Sequence, residues 1–250
     1  MERDGRGHVA TFLTSAVIDA GSSTELNEAA AHHAHVKRLA VGDRVRLTDG
    51  GGRVGLGTIA TVGRATLTVD VREVSTVPPP RPIHLRAPVA DRERMLWLAE
   101  KAAELGVASW QAVRFKRSAS VSPRGEGPAF LEKLRARMIA AVEQSAGAWL
   151  PSILPDTVPG ELGVDAAEVP ILLDREGVPL SSLVSLPSTG APVILLGPEG
   201  GLESGEIAEL EAAGWRRASL AGTTLRFETA GVAAVAVCRA LMGFTGGTNG

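Results

Sequence analysis

Four prolines in five residues, Pro78-Pro79-Pro80-Arg81-Pro82, divide this chain. Proline fixes φ and lacks a backbone donor, so such a run sits inside neither a helix nor a sheet and stiffens a connection instead. It predicts one unit over residues 1–77, a linker at 78–82 and a second unit over 83–245, with 246–250 as a disordered tail. Before the prolines the texture is that of short strands. Asn27 to Arg38 reads as a short helix. A strand starts at Gly42-Asp43, where Val45 and Leu47 alternate with Arg44 and Arg46. Asp49-Gly50-Gly51-Gly52 is a turn by composition. In Thr66 to Val74, Leu67, Val69 and Val71 fall on one face at period two. Several short strands joined by glycine turns predict a small β-barrel.

After the prolines, strand and helix signals alternate. Ile83 to Pro88 reads as a strand. Asp91 to Leu105 reads as a helix with Met95, Leu98, Ala99, Ala102 and Leu105 on one face and Gly106 as its stop. Trp110–Phe115, Pro128–Ser145, Ile171–Leu173, Val193–Leu196, Ser204–Ala213, Ala218–Leu220 and Glu228–Leu241 continue the series. Alternation at this spacing predicts an α/β domain with a mainly parallel sheet.

Composition narrows the class. The only cysteine, Cys238, lies in the apolar run Val232 to Leu241. That excludes an intrachain disulfide and any zinc site needing two cysteine ligands from one chain, and it points to a reducing, cytoplasmic setting. The N-terminus carries Glu2, Arg3, Asp4 and Arg6 and shows no apolar core, so no signal peptide is expected. No uncharged apolar stretch reaches membrane-spanning length. His32, His33 and His35 cluster without a cysteine nearby. They read as solvent-facing residues near a helix end, and no metal is expected. The net charge is -2, which argues against a strongly basic nucleic-acid coat protein. The charge is uneven, however. Arg114, Lys116, Arg117, Arg124, Lys133, Arg135 and Arg137 face only Glu126 and Glu132 within Arg114 to Arg137. Such a segment is either a solvated surface or a place to meet phosphates. Tyrosine is absent and aromatics make up 4% of the chain, so a base-stacking platform is not expected.

Three segments could carry chemistry. Val193 to Leu196 runs into Gly197-Pro198-Glu199-Gly200-Gly201, and a helix follows. Ligands of open α/β sheets sit in such loops, at the carboxyl ends of strands. The loop has no Lys or Arg and the chain has no GxxxxGK[ST], which argues against a phosphate cradle. By spacing alone the loop is either a ligand site or a plain strand-to-helix turn. Gly55-Leu56-Gly57-Thr58-Ile59-Ala60 mimics a dinucleotide fingerprint but leads into strand-like sequence, so it is rejected. The second segment, Leu220 to Ala230, ends a short strand in a glycine loop and starts an apolar helix. Arg226 and Glu228 there are either functional or an ordinary surface arginine and helix-capping carboxylate. The third, Glu143-Gln144, lines a cleft or is the wet side of a helix.

Taken together and in order, these segments resemble the 16S ribosomal RNA uracil-N3 methyltransferase family, a branch of the SPOUT methyltransferases. The resemblance rests on His32 with Val36-Lys37-Arg38-Leu39, Gly42-Asp43, Ile83-His84-Leu85, Glu104-Leu105-Gly106-Val107, Arg117-Ser118, Glu143-Gln144, Gly197 to Gly201 with Glu206, and Leu225-Arg226 with Glu228-Thr229-Ala230. It implies a PUA-like β-barrel followed by a trefoil-knotted α/β domain, a homodimer, and 16S rRNA of the small ribosomal subunit as substrate. The cofactor implied is S-adenosylmethionine, held by Leu196, Gly197, Pro198, Glu199, Gly200, Gly201, Leu220, Gly222, Leu225, Arg226 and Thr229. Arg226, Glu228 and Glu143 are the implied catalytic residues, and Arg38, Arg114, Lys116, Arg117 and Arg124 the expected RNA contacts. Other outcomes are a SPOUT enzyme acting on a ribose hydroxyl or another base, and a non-catalytic ribosome-assembly protein. The chain departs from the family pattern at Gly147-Ala148-Trp149, where a basic residue is usual, and at Glu203, where the next helix usually starts with Ser or Thr.

Overall fold

A computed structural model describes residues 9–118, 123–184 and 190–243. The chain forms two compact units: Met1–Pro79 with Ile139–Leu150, and Pro80–Met138 with Pro151–Gly250. The tail expected at 246–250 lies outside the described residues.

The first unit contains β1 (Ala10–Leu13), β2 (Ser23–Leu26), α1 (Glu28–Val36), β3 (Arg44–Thr48), β4 (Arg53–Val62) and β5 (Leu67–Thr76). The strands form one sheet, ordered β1-β3-β4-β5-β2, that curls as a half-barrel. β1 runs parallel to β3 and the other pairings are antiparallel. Leu67, Val69 and Val71 alternate into the core as their period predicts, beside Val45, Leu47 and Phe12. Burying each such side chain stabilises the fold by roughly 1.5–3 kcal/mol. Asn27 caps α1 by accepting the Ala30 N–H at 3.1 Å, and Ala30, Ala31 and Ala34 press its small-residue face onto the sheet. The rejected fingerprint around Gly55 and Gly57 is part of β4.

The late segment Ile139–Leu150 is stitched into this unit by hydrogen bonds. Gly52 N–H donates to Ala148 O and Leu150 N–H to Gly50 O, each at 2.9 Å. Arg46 Nη1 donates to Gly147 O at 2.9 Å. Trp149, at one of the family departures, donates from Nε1 to Val77 O at 3.0 Å and covers Gly52, where φ is +96 and any Cβ would collide with the indole. A side chain at position 52 is therefore excluded twice, by conformation and by space.

The second unit contains β6 (His84–Pro88), α2 (Arg92–Glu104), β7 (Ser109–Val113), most of α3 (Pro128–Gln144), β8 (Ser152–Thr157), β9 (Glu168–Pro179), β10 (Ala191–Leu196), α4 (Ser204–Ala212), β11 (Arg216–Ser219) and α5 (Phe227–Met242). Its six strands are ordered β11-β9-β10-β6-β7-β8, and every pairing is parallel. A parallel sheet covered on both faces needs strands that are apolar throughout, which is what Val193-Ile194-Leu195-Leu196 supplies. Val193 and Leu195 join a core with Leu172, Leu210 and Trp215. On the opposite face Leu196 of β10 and Leu98 of α2 close on Gly231 of α5. Met95, Leu98, Ala99 and Ala102 of α2 are all fully buried. Arg239, buried in α5, donates to the carbonyls of Arg81, Leu105 and Gly106. This ties α5 to the stop of α2. Among the described residues no helix is long and apolar enough to cross a membrane.

Candidate active site

Adjacent strands β9, β10 and β11 end at the same edge of the second unit, where an α/β sheet binds its ligands. A cavity of about 400 Å3 opens there, within the size range of small-molecule sites. Two loops build most of it. One is Gly197 to Gly201 between β10 and α4; the other runs from Leu220 to Leu225 between β11 and α5. Gly201 sits at φ +71, a left-handed conformation that favours glycine, and its N–H closes a turn on Pro198 O at 2.9 Å.

The glycine loop is braced from outside. Arg117 donates from Nη1 to Gly200 O at 3.1 Å. Buried Glu206 accepts the Lys116 N–H at 3.0 Å and the Glu203 N–H at 2.9 Å. Glu203, the second departure from the family pattern, occupies the position before α4 and pairs with Lys116 Nζ at 3.4 Å.

Of the residues expected to hold a cofactor, Leu196, Gly197, Pro198, Glu199, Gly201, Leu220 and Leu225 line the cavity. Gly200 and Gly222 belong to the same loops, and Arg226 and Thr229 to the start of α5, but none of the four lines it. Sequence reasoning missed the contribution of β9. Leu173, Asp174, Arg175 and Glu176 line the cavity together with Arg217 of β11. The rule that strand ends carry sites applied to Ile171–Leu173 as well as to Val193–Leu196, and following β9 past Leu173 would have found them. Arg217 Nη2 lies 3.1 Å from both Asp174 Oδ2 and Glu176 Oε2. Burial raises the Asp174 carboxyl, but hydrogen bonds from the Glu176 N–H and from Arg217 outweigh it and hold the group below its ordinary value. The same bond with Asp174 leads the causes that raise Arg217.

This lining is mixed. Leu173, Leu196, Leu225 and Phe227 offer apolar surface, Asp174, Glu176 and Glu199 outnumber the cations Arg175 and Arg217, and Arg217 is committed to carboxylates. A ligand with a flat heterocycle and positive charge fits such a lining; a polyphosphate does not.

The three expected catalytic residues have different surroundings. Arg226 is exposed before α5; its carbonyl accepts the Ala230 N–H at 2.9 Å, and its side chain makes no hydrogen bond or ion pair among the described residues. Glu228 lies in the first turn of α5 with its side chain 12% exposed. Its Oε2 is buried without a hydrogen-bond partner, and its Oε1 lies 3.9 Å from Arg94 Nε. Arg94 also pairs with Glu199 of the glycine loop. Glu143 belongs to the first unit, where Oε1 accepts the Leu13 N–H at 2.8 Å and Oε2 lies 3.5 Å from His33 Nδ1.

The expected RNA contacts are mostly ion-paired. Arg114 lies 3.3 Å from Glu126 and 3.8 Å from Asp156, Arg124 is 2.8 Å from Glu126, and Lys116 and Arg117 face Glu203. Arg38 is exposed at the end of α1 with φ +55. Of the clustered histidines, His32 and His35 are exposed, while His33 packs edge-on against Phe12.

A wholly parallel α/β domain with a glycine-loop cavity at its strand ends, joined to a half-barrel, defines a class of small-molecule-dependent enzymes with a separate β unit. The chain belongs to the RNA methyltransferase domain family, whose model matches residues 77–239. A second model, the RNA methyltransferase PUA domain, matches residues 26–72. Ribosomal RNA small subunit methyltransferase E of Mycobacterium bovis is 29% identical over 216 residues, covering 82% of this chain and 80% of the relative. A probable rRNA-methyltransferase from Porphyromonas gingivalis is 26% identical, with a TM-score of 0.77 over 94% of this chain and 98% of its own. Ribosomal RNA small subunit methyltransferase E from Neisseria gonorrhoeae, solved with S-adenosyl methionine bound, shares the fold. Its TM-score is 0.81 at 24% identity, covering 92% of this chain and 96% of its own.

Proposed function

We propose that this protein transfers a methyl group from S-adenosylmethionine to N3 of a uridine in small-subunit ribosomal RNA. The observation that carries the reading is the glycine-loop cavity at the strand ends, with Glu228, whose buried Oε2 has no partner, standing in the helix turn between the lining residues Phe227 and Ala230. The cofactor supplies an electrophilic methyl on a cationic sulfur, and the acidic, partly apolar cavity suits that charge. Leu196, Gly197, Leu220 and Leu225 hold its flat parts, and Asp174 and Glu199 its positive end. The M. bovis relative is named for ribosomal RNA, and that is the support for the substrate class.

Uracil N3 carries a proton at neutral pH, so the base must lose it as the N–C bond forms. Glu228 Oε2 accepts that proton, the N3 electron pair forms the bond to the methyl carbon, and the electrons of the broken C–S bond return to sulfur. The accepted proton then passes to water. Arg226, exposed and without an ionic partner among the described residues, stabilises the anionic base or a neighbouring phosphate. Such electrostatic and acid–base contributions are each worth about 100-fold or more. The unit at 1–77 acts as the RNA-binding barrel and 83–245 as the catalytic domain. Arg114, Lys116, Arg117 and Arg124 exchange their surface carboxylates for phosphates on binding, and exposed Arg38 adds a further contact, which makes RNA affinity salt-dependent. The working form is a homodimer in the cytoplasm.

Calorimetry with S-adenosylmethionine and nucleoside mapping of methylated small subunits test this. Cofactor binding with 3-methyluridine as product is the expected result. A methylated ribose or another base would overturn the substrate atom, and absence of cofactor binding would overturn the whole reading.

A further inference from the structure

Arg94 joins three elements of the second unit and was not among the residues singled out by sequence. Asp91 precedes α2 and accepts the Arg94 N–H at 3.0 Å, which sets Arg94 in the first turn of the helix. From there the guanidinium pairs with Glu199 of the loop after β10 and lies with Nε 3.9 Å from Glu228 Oε1 at the start of α5. One cation from α2 thus links the glycine loop to the first turn of α5. As a stabilising contact the Arg94–Glu199 pair is weak, because the side chains are 34% and 49% exposed and ion pairs at that exposure contribute little. Its geometric effect is larger. Glu228 has a buried, unpartnered Oε2, and Arg94 is the only cation within ion-pair distance of its carboxylate among the described residues. A carboxylate with one oxygen held and the other open has a fixed direction for accepting a proton.

We infer that Arg94 is a positioning residue for methyl transfer: paired with Glu199, it sits beside Glu228 Oε1 and leaves Oε2 as the one oxygen without a partner. The inference rests on the reading above in which Glu228 takes the N3 proton. Its effect on rate comes from orientation, for which a misplacement of about 1 Å costs on the order of 100-fold. Arg94 has no contact with cofactor or RNA in this scheme, but its partner Glu199 lines the cavity, so the rate is read at saturating cofactor and RNA affinity does not depend on Arg94.

Single-turnover methylation of purified unmodified small subunits, with wild type, Arg94→Ala, Arg94→Lys, Glu228→Gln and the double variant Arg94→Ala/Glu228→Gln, is the test. Expected for Arg94→Ala is a rate loss of roughly 10- to 100-fold at saturating S-adenosylmethionine, with RNA affinity within about twofold of wild type. Arg94→Lys recovers part of that loss. The double variant is no slower than Glu228→Gln alone, because residues acting as one unit do not add. Multiplicative losses, or a loss confined to cofactor or RNA affinity, would overturn the positioning role. Arg94→Gln, which keeps much of the side-chain length, replaces Arg94→Ala if the latter fails to fold. Full turnover in Glu228→Gln alone would instead remove Glu228 as proton acceptor, a failure visible without any Arg94 variant.

Discussion

Glu143 and Glu228 have the same side chain, the same place in the family resemblance and opposite surroundings. In the first unit, Glu143 has both oxygens engaged. One accepts the Leu13 N–H at 2.8 Å and the other lies 3.5 Å from His33 Nδ1. In the second unit, Glu228 has one oxygen near Arg94 and the other buried and unpartnered. A carboxylate that satisfies a backbone donor contributes to stability, because the partner left behind by its removal remains desolvated. A carboxylate with an open buried oxygen costs stability and persists where a ligand completes it. The difference teaches that residue type and order nominate a site, whereas whether each carboxylate oxygen finds a partner is set by its tertiary surroundings.

The most severe test of that contrast is Glu228→Gln. Turnover falls by about 100-fold or more, while cofactor affinity and melting temperature stay near wild type. A variant that melts early but turns over normally would reverse the assignment. Next is Glu143→Ala, which leaves the Leu13 N–H without its partner. A loss of about 1–2 kcal/mol by chemical denaturation is expected, with a smaller effect on turnover than Glu228→Gln. A rate loss equal to that of Glu228→Gln would erase the distinction between the two regions.

Asp174→Asn extends the comparison to a carboxylate engaged at the cavity itself. Cofactor affinity drops by about tenfold, equivalent to about 1.4 kcal/mol, read by calorimetry. Its pH dependence has a definite sign. The folded-state value of Asp174 is lowered, so its stabilisation is present above the ordinary carboxylate range and is lost as pH falls through the lower, folded value. Thermal scans in acid separate wild type from Asp174→Asn least at the lowest pH. A gap that widens on acidification would contradict the lowered value. The smallest effect belongs to the surface cations. Arg124→Ala reduces the salt slope of RNA binding by about one unit and leaves single-turnover chemistry at saturating RNA unchanged. An unchanged slope would remove Arg124 from the RNA contacts.

Much of the fold was legible because local pattern and global burial agree. Leu67, Val69 and Val71 read as one face and are one face. Val193 to Leu196 reads as a strand covered on both sides, and both sides are covered. Asp91 and Gly106 bracket α2 as capping chemistry predicts. Strands β1, β2 and β8 escaped notice for a shared reason. Each lies at a sheet edge, where short length and a residue such as Pro155 are tolerated, and where pairing rather than side-chain period defines the strand. The cavity was half legible. Its glycine loop follows a strand that announces itself, whereas Asp174 and Arg217 are brought together by the pairing of β9 with β11.

The sequence by itself determined the two textures on either side of the prolines, the parallel sheet, the two site loops and the order of motifs from which the family could be recognised. These depend on neighbours in the chain, which the sequence displays directly. Only the tertiary structure decided that Ile139–Leu150 returns to the first unit, that Arg94 links the glycine loop to α5, and which glutamate has an unpartnered oxygen. Those outcomes depend on contacts between residues roughly a hundred positions apart, such as Arg94 with Glu199 and Leu13 with Glu143, and no local periodicity records them.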